Sequence, residues 1–349
     1  MKTGQMFLAG FTGTRLTDGH WLYRVVERHG LGGVVLFDRT VGGARQNIAS
    51  PGQLQKLCTE LRVLEPNLLV AVDQEGGQVR RLKHEDGFAQ SRSAQALGRE
   101  TVERVYRYYR GMARELANVG VNCNLAPVVD LDRNPNNPII GRFGRSFSAD
   151  ARHVTACARV CIQAHHEAGV GCCLKHFPGH GSATGDTHLG LVDVSNDWVA
   201  EELVPFTTLI RQGYRDAIMT AHVVHSGLDA KHLPATLSPE VVQGLLRDTL
   251  GFNGVIISDD LQMQAISSQW GYRQAVQMAV LAGVDLLIVG NNLSPREDAV
   301  DEGVAAITEL LDSGRLAPER VAASLARINS FQQRCRGEEL WNSMPPTIS

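Results

Sequence analysis

Short apolar runs and longer amphipathic stretches alternate along this chain from one end to the other. Each short run is nearly continuous in hydrophobic residues, which is typical of strands buried on both faces of a parallel sheet. The eight runs are Met6–Phe11, Gly33–Phe37, Leu68–Asp73, Val121–Asp130, Gly171–Phe177, Asp216–His222, Gly254–Asp260 and Asp285–Gly290.

The stretches between these runs carry apolar residues at helical spacing. They cover 20–30, 52–64, 100–119, 148–168, 199–213, 238–250, 270–282 and 296–313. Eight strands alternating with eight helices in 349 residues favour an α/β fold with a single (β/α)8 TIM barrel over a doubly wound sheet.

One domain accounts for nearly the whole chain. We interpret residues 1–336 as the barrel domain, with a last helix at about 318–334 packed under it, and residues 337–349 as a C-terminal tail. Three connections that follow strands are longer than a turn requires, at 74–99, 131–147 and 178–198. Because the loops at the carboxyl ends of barrel strands form the active face, we expect the functional site there.

Composition narrows the class of protein and its partners. A hydrophobic content of 43% with 20% charged residues is typical of a globular protein with a sizeable core. The net charge of −3 argues against nucleic acid or an anionic membrane as a partner. No run is long enough for a membrane span and no signal-peptide pattern opens the chain, so we expect a cytoplasmic protein. Nothing in the pattern requires an interface, so a monomer is expected.

Polar residues close six of the eight predicted strands. Since the carboxyl ends of parallel barrel strands meet at one mouth, these side chains should converge there. They are Asp38, Asp73, Asp130, Lys175 with His176, His222, and Asp259 with Asp260.

The densest group of chemically active residues lies at 174–188. Leu174-Lys175-His176-Phe177-Pro178-Gly179-His180-Gly181 is rich in residues that let a backbone pass close to a ligand. Asp186-Thr187-His188 follows, and such an Asp-x-His pair can transfer protons near neutral pH. His180 is expected to bond the loop backbone, and His165, on the helix at 148–168, to be partly exposed.

Two further strand ends carry carboxylates in informative settings. Asp259 and Asp260 are adjacent, so their side chains point to opposite sides and one of them should face the cavity. A carboxylate there is a metal ligand, a base or a nucleophile. Asp73 opens the segment Asp73–Arg81, in which a Gly-Gly turn separates a carboxylate that can accept two hydroxyl hydrogen bonds from an arginine with a planar donor fork.

Four motifs in this order resemble glycoside hydrolase family 3, specifically its single-domain β-N-acetylglucosaminidases that act in peptidoglycan recycling. They are Asp73–Arg81, Lys175–Gly181, Asp186–His188 and Ser258–Leu261. The resemblance runs over nearly the whole chain. It implies a TIM barrel, a retaining mechanism with a covalent glycosyl-enzyme intermediate, and neither cofactor nor metal. The implied substrate is a small carbohydrate, a muropeptide or disaccharide with terminal GlcNAc.

The resemblance also implies roles for individual residues. Asp259 would be the nucleophile and His188 the acid/base, oriented by Asp186. A histidine departs from the usual pair of carboxylates in retaining glycosidases. As a neutral base it avoids repulsion with the first carboxylate while water attacks. The implied substrate-binding residues are Asp73, Arg81, Lys175, His176 and an arginine of the Gly-x-Arg-Ser-Phe element.

That element contains two extra residues in this chain. It is Ile140-Gly141-Arg142-Phe143-Gly144-Arg145-Ser146-Phe147, so two arginines compete for one role. Arg145 is assigned to the sugar, with Arg142 as its rival.

Other functions remain open at this point. The same site could transfer the sugar to phosphate, as a β-N-acetylglucosaminide phosphorylase, or act on β-glucosides. A sugar-binding barrel without catalysis is a further alternative. A metal-dependent TIM-barrel hydrolase could use His176, His188, His222 and Asp259, ligand types suited to zinc or manganese. Lys175 beside His176 speaks against the metal, since it would place a cation next to it.

Overall fold

The computed structural model describes residues 2–337, so the predicted tail at 337–349 lies outside the described residues except for Gly337. In this range the chain forms ten strands. They are β1 (Phe7–Gly10), β2 (Gly33–Leu36), β3 (Leu69–Val72), β4 (Cys123–Asn124), β5 (Gly171–Phe177), β6 (Val192–Asp193), β7 (Ala217–Thr220), β8 (Val223–Val224), β9 (Val255–Ser258) and β10 (Leu287–Val289).

Eight of these strands confirm the predicted (β/α)8 barrel. They form one parallel sheet in the order β10-β1-β2-β3-β4-β5-β7-β9. Backbone pairing between its two outer strands closes the sheet into a barrel. Ser258 donates its N–H to the carbonyl of Leu286 at 3.0 Å, and Ile257 forms a parallel bridge with Leu286.

Helices surround the barrel, and every predicted helix has a counterpart among the described residues. The α-helices are α1 (Trp21–His29), α2 (Pro51–Leu64), α3 (Ala94–Leu97), α4 (Val102–Asn118), α5 (Ala151–His166), α6 (Val204–Arg211), α7 (Gln264–Ala282), α8 (Ala299–Asp312) and α9 (Pro318–Cys335). A π-helix spans Glu240–Thr249, and 3-10 turns span Thr3–Met6, His84–Asp86, Ala200–Leu203 and Ala235–Leu237. Across the described range, every helix is too short or too polar to traverse a lipid bilayer.

Two predicted boundaries were wrong. The helix expected at 270–282 begins earlier, at Gln264, and Gly271 interrupts it with a φ of +64° that suits glycine. The strand expected at 121–130 is regular only at Cys123–Asn124, because Pro127 has no N–H to donate to a ladder. Val129 nevertheless donates to the carbonyl of Lys175 at 2.8 Å, so this segment stays beside β5.

The long loop that follows β5 is tied back to the barrel by a pair of strands that the sequence pattern did not predict. β6, inside this loop, pairs in parallel with β8, which follows β7. A small apolar cluster that includes Ala183, Val192 and Val223 lies at this pair, with Trp198 packed against it. The indole N–H of Trp198 donates to the carbonyl of Pro178 at 3.2 Å, which brings the end of the loop against its start.

Asp130 fixes the first part of this loop, residues 178–182, which we call the loop stem. Its carboxylate lies 2.7 Å from Nδ1 of His176 and accepts the backbone N–H of His180 at 2.8 Å. The side chain is fully buried. One carboxylate therefore joins the end of β5 to the stem.

Glu202, in the 3-10 turn before α6, fixes the stem from the other side. Its buried carboxylate accepts the N–H of Gly181 at 2.8 Å, the N–H of Ser182 at 3.2 Å and the hydroxyl of Ser182. A side chain at Gly181 would come within 1.9 Å of the carbonyl oxygen of Leu131, so the stem can approach this closely only with glycine. Burial raises the pKa of Glu202 to about 7, in spite of these donors.

A third buried carboxylate organises the opposite end of the barrel. Asp285, just before β10, is fully buried and accepts hydrogen bonds from Arg247, from Arg327 at 2.8 Å and from the hydroxyl of Ser324 at 2.6 Å. Ser324 and Arg327 belong to α9, so this cluster holds α9 under the barrel as predicted. Burial lowers the pKa of Arg247 to about 10, with the charge of Asp285 opposing that effect.

Removal of the Asp285 carboxylate should destabilise the protein strongly. Asp285→Ala leaves the buried guanidinium of Arg247 without its anion, and breaking such a buried pair typically costs about 3–5 kcal/mol. The free energy of unfolding in urea measures the loss. The control Asp197→Ala alters an exposed aspartate and should change that free energy by less than about 0.5 kcal/mol. Equal effects of the two substitutions would contradict this account.

The titration of Glu202 should make stability depend on pH. Its carboxyl group holds a proton up to a pH of about 7 in the folded protein, against an ordinary value of 4.5. The folded state therefore binds more protons than the unfolded state between these values, so stability falls as the pH rises through this window. Relative to Glu202→Gln, we expect the wild-type free energy of unfolding to drop by about 3 kcal/mol. A difference between the two proteins that stays constant from pH 5 to pH 8 would rule this out.

Candidate active site

A cavity of about 430 Å³ lies at the carboxyl ends of the barrel strands, where the sequence placed the site. All eight predicted site residues line it, namely Asp73, Arg81, Arg145, Lys175, His176, Asp186, His188 and Asp259. Arg142, the rival of Arg145, is exposed and is not among the lining residues. A wider, shallower groove between α1 and α8 contains none of the eight residues.

The end of β5 contributes two neighbouring side chains to the cavity, Lys175 and His176. In a regular strand, successive side chains point to opposite faces. Here the pairing of β5 with β7 shifts register between Leu174 and Phe177. Such an irregularity re-aims side chains, which explains how both residues reach one cavity.

An ion cluster forms one wall of the cavity. Lys175 places Nζ 2.8 Å from a carboxylate oxygen of Asp73 and 2.7 Å from one of Glu75. Arg145 holds Glu75 with two hydrogen bonds of 2.7 and 2.8 Å, and Arg81 lies 3.2 Å from Asp73. Because the charges alternate in sign, each buried group has a counterion.

The same cluster keeps its members charged. Burial alone would raise the pKa of the carboxyl groups of Asp73 and Glu75, but the adjacent cations outweigh this effect. Lys175 and Arg81 bring the pKa of Asp73 below its usual value, and Arg145 with Lys175 brings that of Glu75 to about 2. Conversely, Asp73 and Glu75 raise the pKa of Lys175 against the effect of its burial. The wall is therefore ionised and fixed before any ligand arrives.

The two carboxylates that follow β9 have opposite environments, although both line the cavity rather than one alone. Asp260 accepts the N–H groups of Gln262 at 3.0 Å and Gly290 at 3.1 Å, and burial raises its pKa to about 6. Burial also acts on Asp259, but the positive potential of His222 and His176 outweighs it and lowers the pKa of Asp259. At neutral pH, Asp259 is thus an anion, and while its Oδ1 accepts the N–H of Asp260 at 2.8 Å, its other oxygen has no hydrogen-bond partner within residues 2–337.

Asp186 and His188 are hydrogen-bonded to each other, as the spacing suggested. One oxygen of Asp186 lies 2.8 Å from Nδ1 of His188 and accepts the backbone N–H of His188 at the same distance. The His188 side chain is 51% exposed, and its Nε2 makes no hydrogen bond among the described residues. Between the two, Thr187 is buried and its carbonyl accepts the N–H of Ala265 at 3.2 Å.

The remaining histidines differ in whether their ring nitrogens are occupied. His222 uses both, at 2.9 Å from the hydroxyl of Thr236 and 3.0 Å from the carbonyl of Asp260. His180 was expected to bond loop backbone, and this was wrong: neither ring nitrogen has a hydrogen-bond partner within residues 2–337. His165 was expected to be partly exposed but is fully buried, with Nε2 of its ring 3.0 Å from the amide nitrogen of Asn124 in β4.

Sequence reasoning did not find the apolar part of the wall. Phe37, Phe143, Met219, Met263, Ile288 and Leu293 also line the cavity. Hydrophobic residues that face the cavity look the same in sequence as those that face the core, in strands and in loops alike, so no signal separated them. Across the described part of the chain, no three His, Cys, Asp or Glu side chains are grouped as metal ligands.

Comparison with known proteins places this arrangement in a family. The family described as Glycosyl hydrolase family 3 N terminal domain matches residues 2–331. The beta-hexosaminidase of Methylococcus capsulatus is 36% identical over 306 residues, covering 85% of this chain and 85% of that protein. Beta-hexosaminidase A of Pseudoalteromonas piscicida is 33% identical over 332 residues, and the match covers 90% of this chain but only 55% of that protein.

Solved structures agree with the sequence comparison. The family 3 beta-N-acetylglucosaminidase of Paenibacillus sp. superimposes with a TM-score of 0.86 at 33% identity, over 100% of this chain and 64% of that one. The beta-N-acetylhexosaminidase of Beutenbergia cavernae gives a TM-score of 0.82 at 27% identity, over 95% and 97% of the two chains. The chain therefore belongs to glycosyl hydrolase family 3 and is a glycoside hydrolase.

Proposed function

We propose that this protein is a retaining exo-β-N-acetylglucosaminidase that releases terminal non-reducing GlcNAc from peptidoglycan-derived fragments. The observation that carries the proposal is the pairing, in one cavity, of the anionic carboxylate of Asp259 with a histidine, His188, oriented by Asp186. The sugar follows from the relatives, whose names are beta-hexosaminidase and beta-N-acetylglucosaminidase.

The reaction would proceed in two displacements. Asp259 attacks the anomeric carbon and forms a covalent ester, while the bond from that carbon to the leaving oxygen breaks and the oxygen takes a proton from His188. His188, now neutral, then accepts a proton from water as the water attacks the same carbon and releases Asp259. Asp186 fixes the tautomer that leaves Nε2 free for both transfers.

The dimensions of the cavity support action on a terminal sugar. Ion pairs close its charged wall. A cavity volume of about 430 Å³ suits a single sugar more than a polysaccharide chain. Val41 and Leu293 are exposed and line its mouth, where the leaving group would lie. Hydroxyl groups would face the wall, whose carboxylates and cations offer acceptors and donors in fixed positions.

The charge of the cavity favours water over phosphate as the acceptor. Five carboxylates line it, against three permanent cations, and each of these cations already faces an anion. A phosphate dianion would enter a negative site without a free counterion. The carboxylates are Asp73, Glu75, Asp186, Asp259 and Asp260.

Two of the three histidines proposed as metal ligands in the alternative hydrolase, His176 and His222, have both ring nitrogens occupied within the protein. Nδ1 of His176 lies 2.7 Å from Asp130 and its Nε2 lies 3.2 Å from a guanidinium nitrogen of Arg145. Both nitrogens of His222 are also engaged. A metal ligand needs a free nitrogen lone pair, so this donor set suits a metal poorly.

Asp259→Ala should abolish turnover of a β-N-acetylglucosaminide, because the covalent step loses its nucleophile. The release of p-nitrophenol from its β-N-acetylglucosaminide should exceed release from its β-glucoside in the wild type. In the variant kcat should fall by on the order of 10⁴-fold or more. After the wild-type protein is incubated with a slowly reacting fluorosugar substrate and digested, mass spectrometry should find the sugar on the peptide that contains Asp259. Asp197→Ala serves as the control, and a preference for the β-glucoside would reject the proposed specificity.

Removal of either member of the dyad should slow the chemical step more than it weakens binding. General acid–base catalysis contributes about 10² to 10⁴-fold, so we expect His188→Ala to lower kcat by this amount with a smaller change in KM. Asp186→Ala should act through the imidazole of His188. The variant with both substitutions should therefore be little slower than the slower of the two single variants. Full turnover by Asp186→Ala would reject the dyad.

A further inference from the structure

His180 is a buried polar side chain whose hydrogen-bonding groups are unused. Its ring lines the cavity, only 2% of the residue is exposed, and neither Nδ1 nor Nε2 has a partner in the described range 2–337. Buried polar groups are usually satisfied, and one that is not requires an explanation. Where such a group faces a binding cavity, a ligand atom is the natural partner.

The neighbouring His176 makes the contrast clear. The two rings are 6.1 Å apart at an angle of 72°, so they share one region of the wall. His176 lies between Asp130 and Arg145, and both of its nitrogens are engaged by these partners. Of the two histidines, His180 is the one with free hydrogen-bonding capacity.

The backbone of His180 is fixed on both sides. Its N–H donates to Asp130 at 2.8 Å, and its carbonyl accepts the amide of Asn137 at 2.8 Å. Asn137 is itself buried and accepts the N–H groups of Ile139 and Ile140. The ring is therefore attached to a fixed backbone, which lowers the entropic cost of using it in binding.

Burial determines the form in which the ring is present. It lowers the pKa of His180 to about 4, with the anionic Asp130 opposing the shift, so the ring is neutral at pH 7. A neutral imidazole has one N–H donor and one acceptor nitrogen. A sugar hydroxyl also donates and accepts, so either ring nitrogen can pair with it.

We propose that His180 is a further sugar-binding residue, which hydrogen-bonds one polar substituent of the sugar ring held in the cavity. The inference rests on the proposed function for the identity of the ligand. It assigns the contact to a residue for which sequence analysis expected only a role within the loop.

The test compares His180→Phe, which keeps an aromatic ring without nitrogen, with His180→Gln, which restores a donor and an acceptor. Loss of one neutral hydrogen bond should raise KM by about threefold to tenfold with little change in kcat, and glutamine should recover part of the loss. His165→Phe is the matched control. His165 is equally buried, and burial lowers its pKa to about 4, but both nitrogens are engaged and it does not line the cavity. His165→Phe should lower the melting temperature and leave KM unchanged.

Substrate analogues identify the contact. Wild type and His180→Phe are compared on p-nitrophenyl β-N-acetylglucosaminides that lack the 3-, 4- or 6-hydroxyl, and on the β-glucoside, which lacks the acetamido group. For the analogue without the group that His180 contacts, the two proteins should have equal kcat/KM, because the contact is already lost. An identical loss on every substrate, or no loss on any, would overturn the proposal.

Direct binding separates this proposal from the proposed function. Calorimetric titration with free GlcNAc should show weaker binding to His180→Phe than to the wild type and unchanged binding to His165→Phe. A wild type that binds GlcNAc but releases no p-nitrophenol would reject the proposed reaction and leave the test of His180 intact. Equal affinity of wild type and His180→Phe for GlcNAc would reject the role of His180.

Discussion

The buried ion cluster of Lys175, Asp73, Glu75 and Arg145 is the interaction on which the cavity depends. Charges removed from water are tolerated only when each has a partner, and loss of one leaves another uncompensated. The members come from the end of β3, from the end of β5 and from the loop after β4, so the cluster ties three parts of the chain together. The groups that fix the strand ends are therefore also those that present donors and acceptors to the cavity, where the proposed function places a sugar.

A second constraint is that neighbouring carboxylates have different protonation behaviour because their surroundings differ. Asp259 and Asp260 are consecutive, yet their pKa values shift in opposite directions. The two backbone N–H groups on Asp260 do not offset its burial, whereas nearby histidines do so for Asp259. Two titratable groups of one type can thus have different roles at a single strand end.

Most of the architecture could be predicted from the sequence, and so could the convergence of the proposed site residues on one cavity, while their individual roles stay predictions. The alternation of apolar and amphipathic runs sets the barrel, and the barrel brings together polar residues that end parallel strands. The choice of Arg145 over Arg142 could not be settled in that way, since both lie in one loop. The structure places only Arg145 in the cavity wall.

What the sequence could not predict depends on contacts between distant segments. Glu202 looks like one more charged residue of a helical pattern, and only the fold brings it to Gly181 and Ser182. The state of the ring nitrogens of His180 likewise depends on what surrounds them. The pairing of β6 with β8 escaped prediction because two-residue strands leave no periodicity to detect.

The hydrogen bond from the Ala265 N–H to the Thr187 carbonyl gives importance to the number of residues between Asp259 and Ala265. Thr187 precedes His188, and Ala265 lies six positions after Asp259, so a short stretch of backbone connects these two cavity residues. The spacing between the proposed nucleophile, Asp259, and the proposed acid/base, His188, is thus set by a count of residues as well as by side chains. An insertion between Asp259 and Ala265 would alter that spacing while leaving the ion cluster of Lys175, Asp73, Glu75 and Arg145 in place.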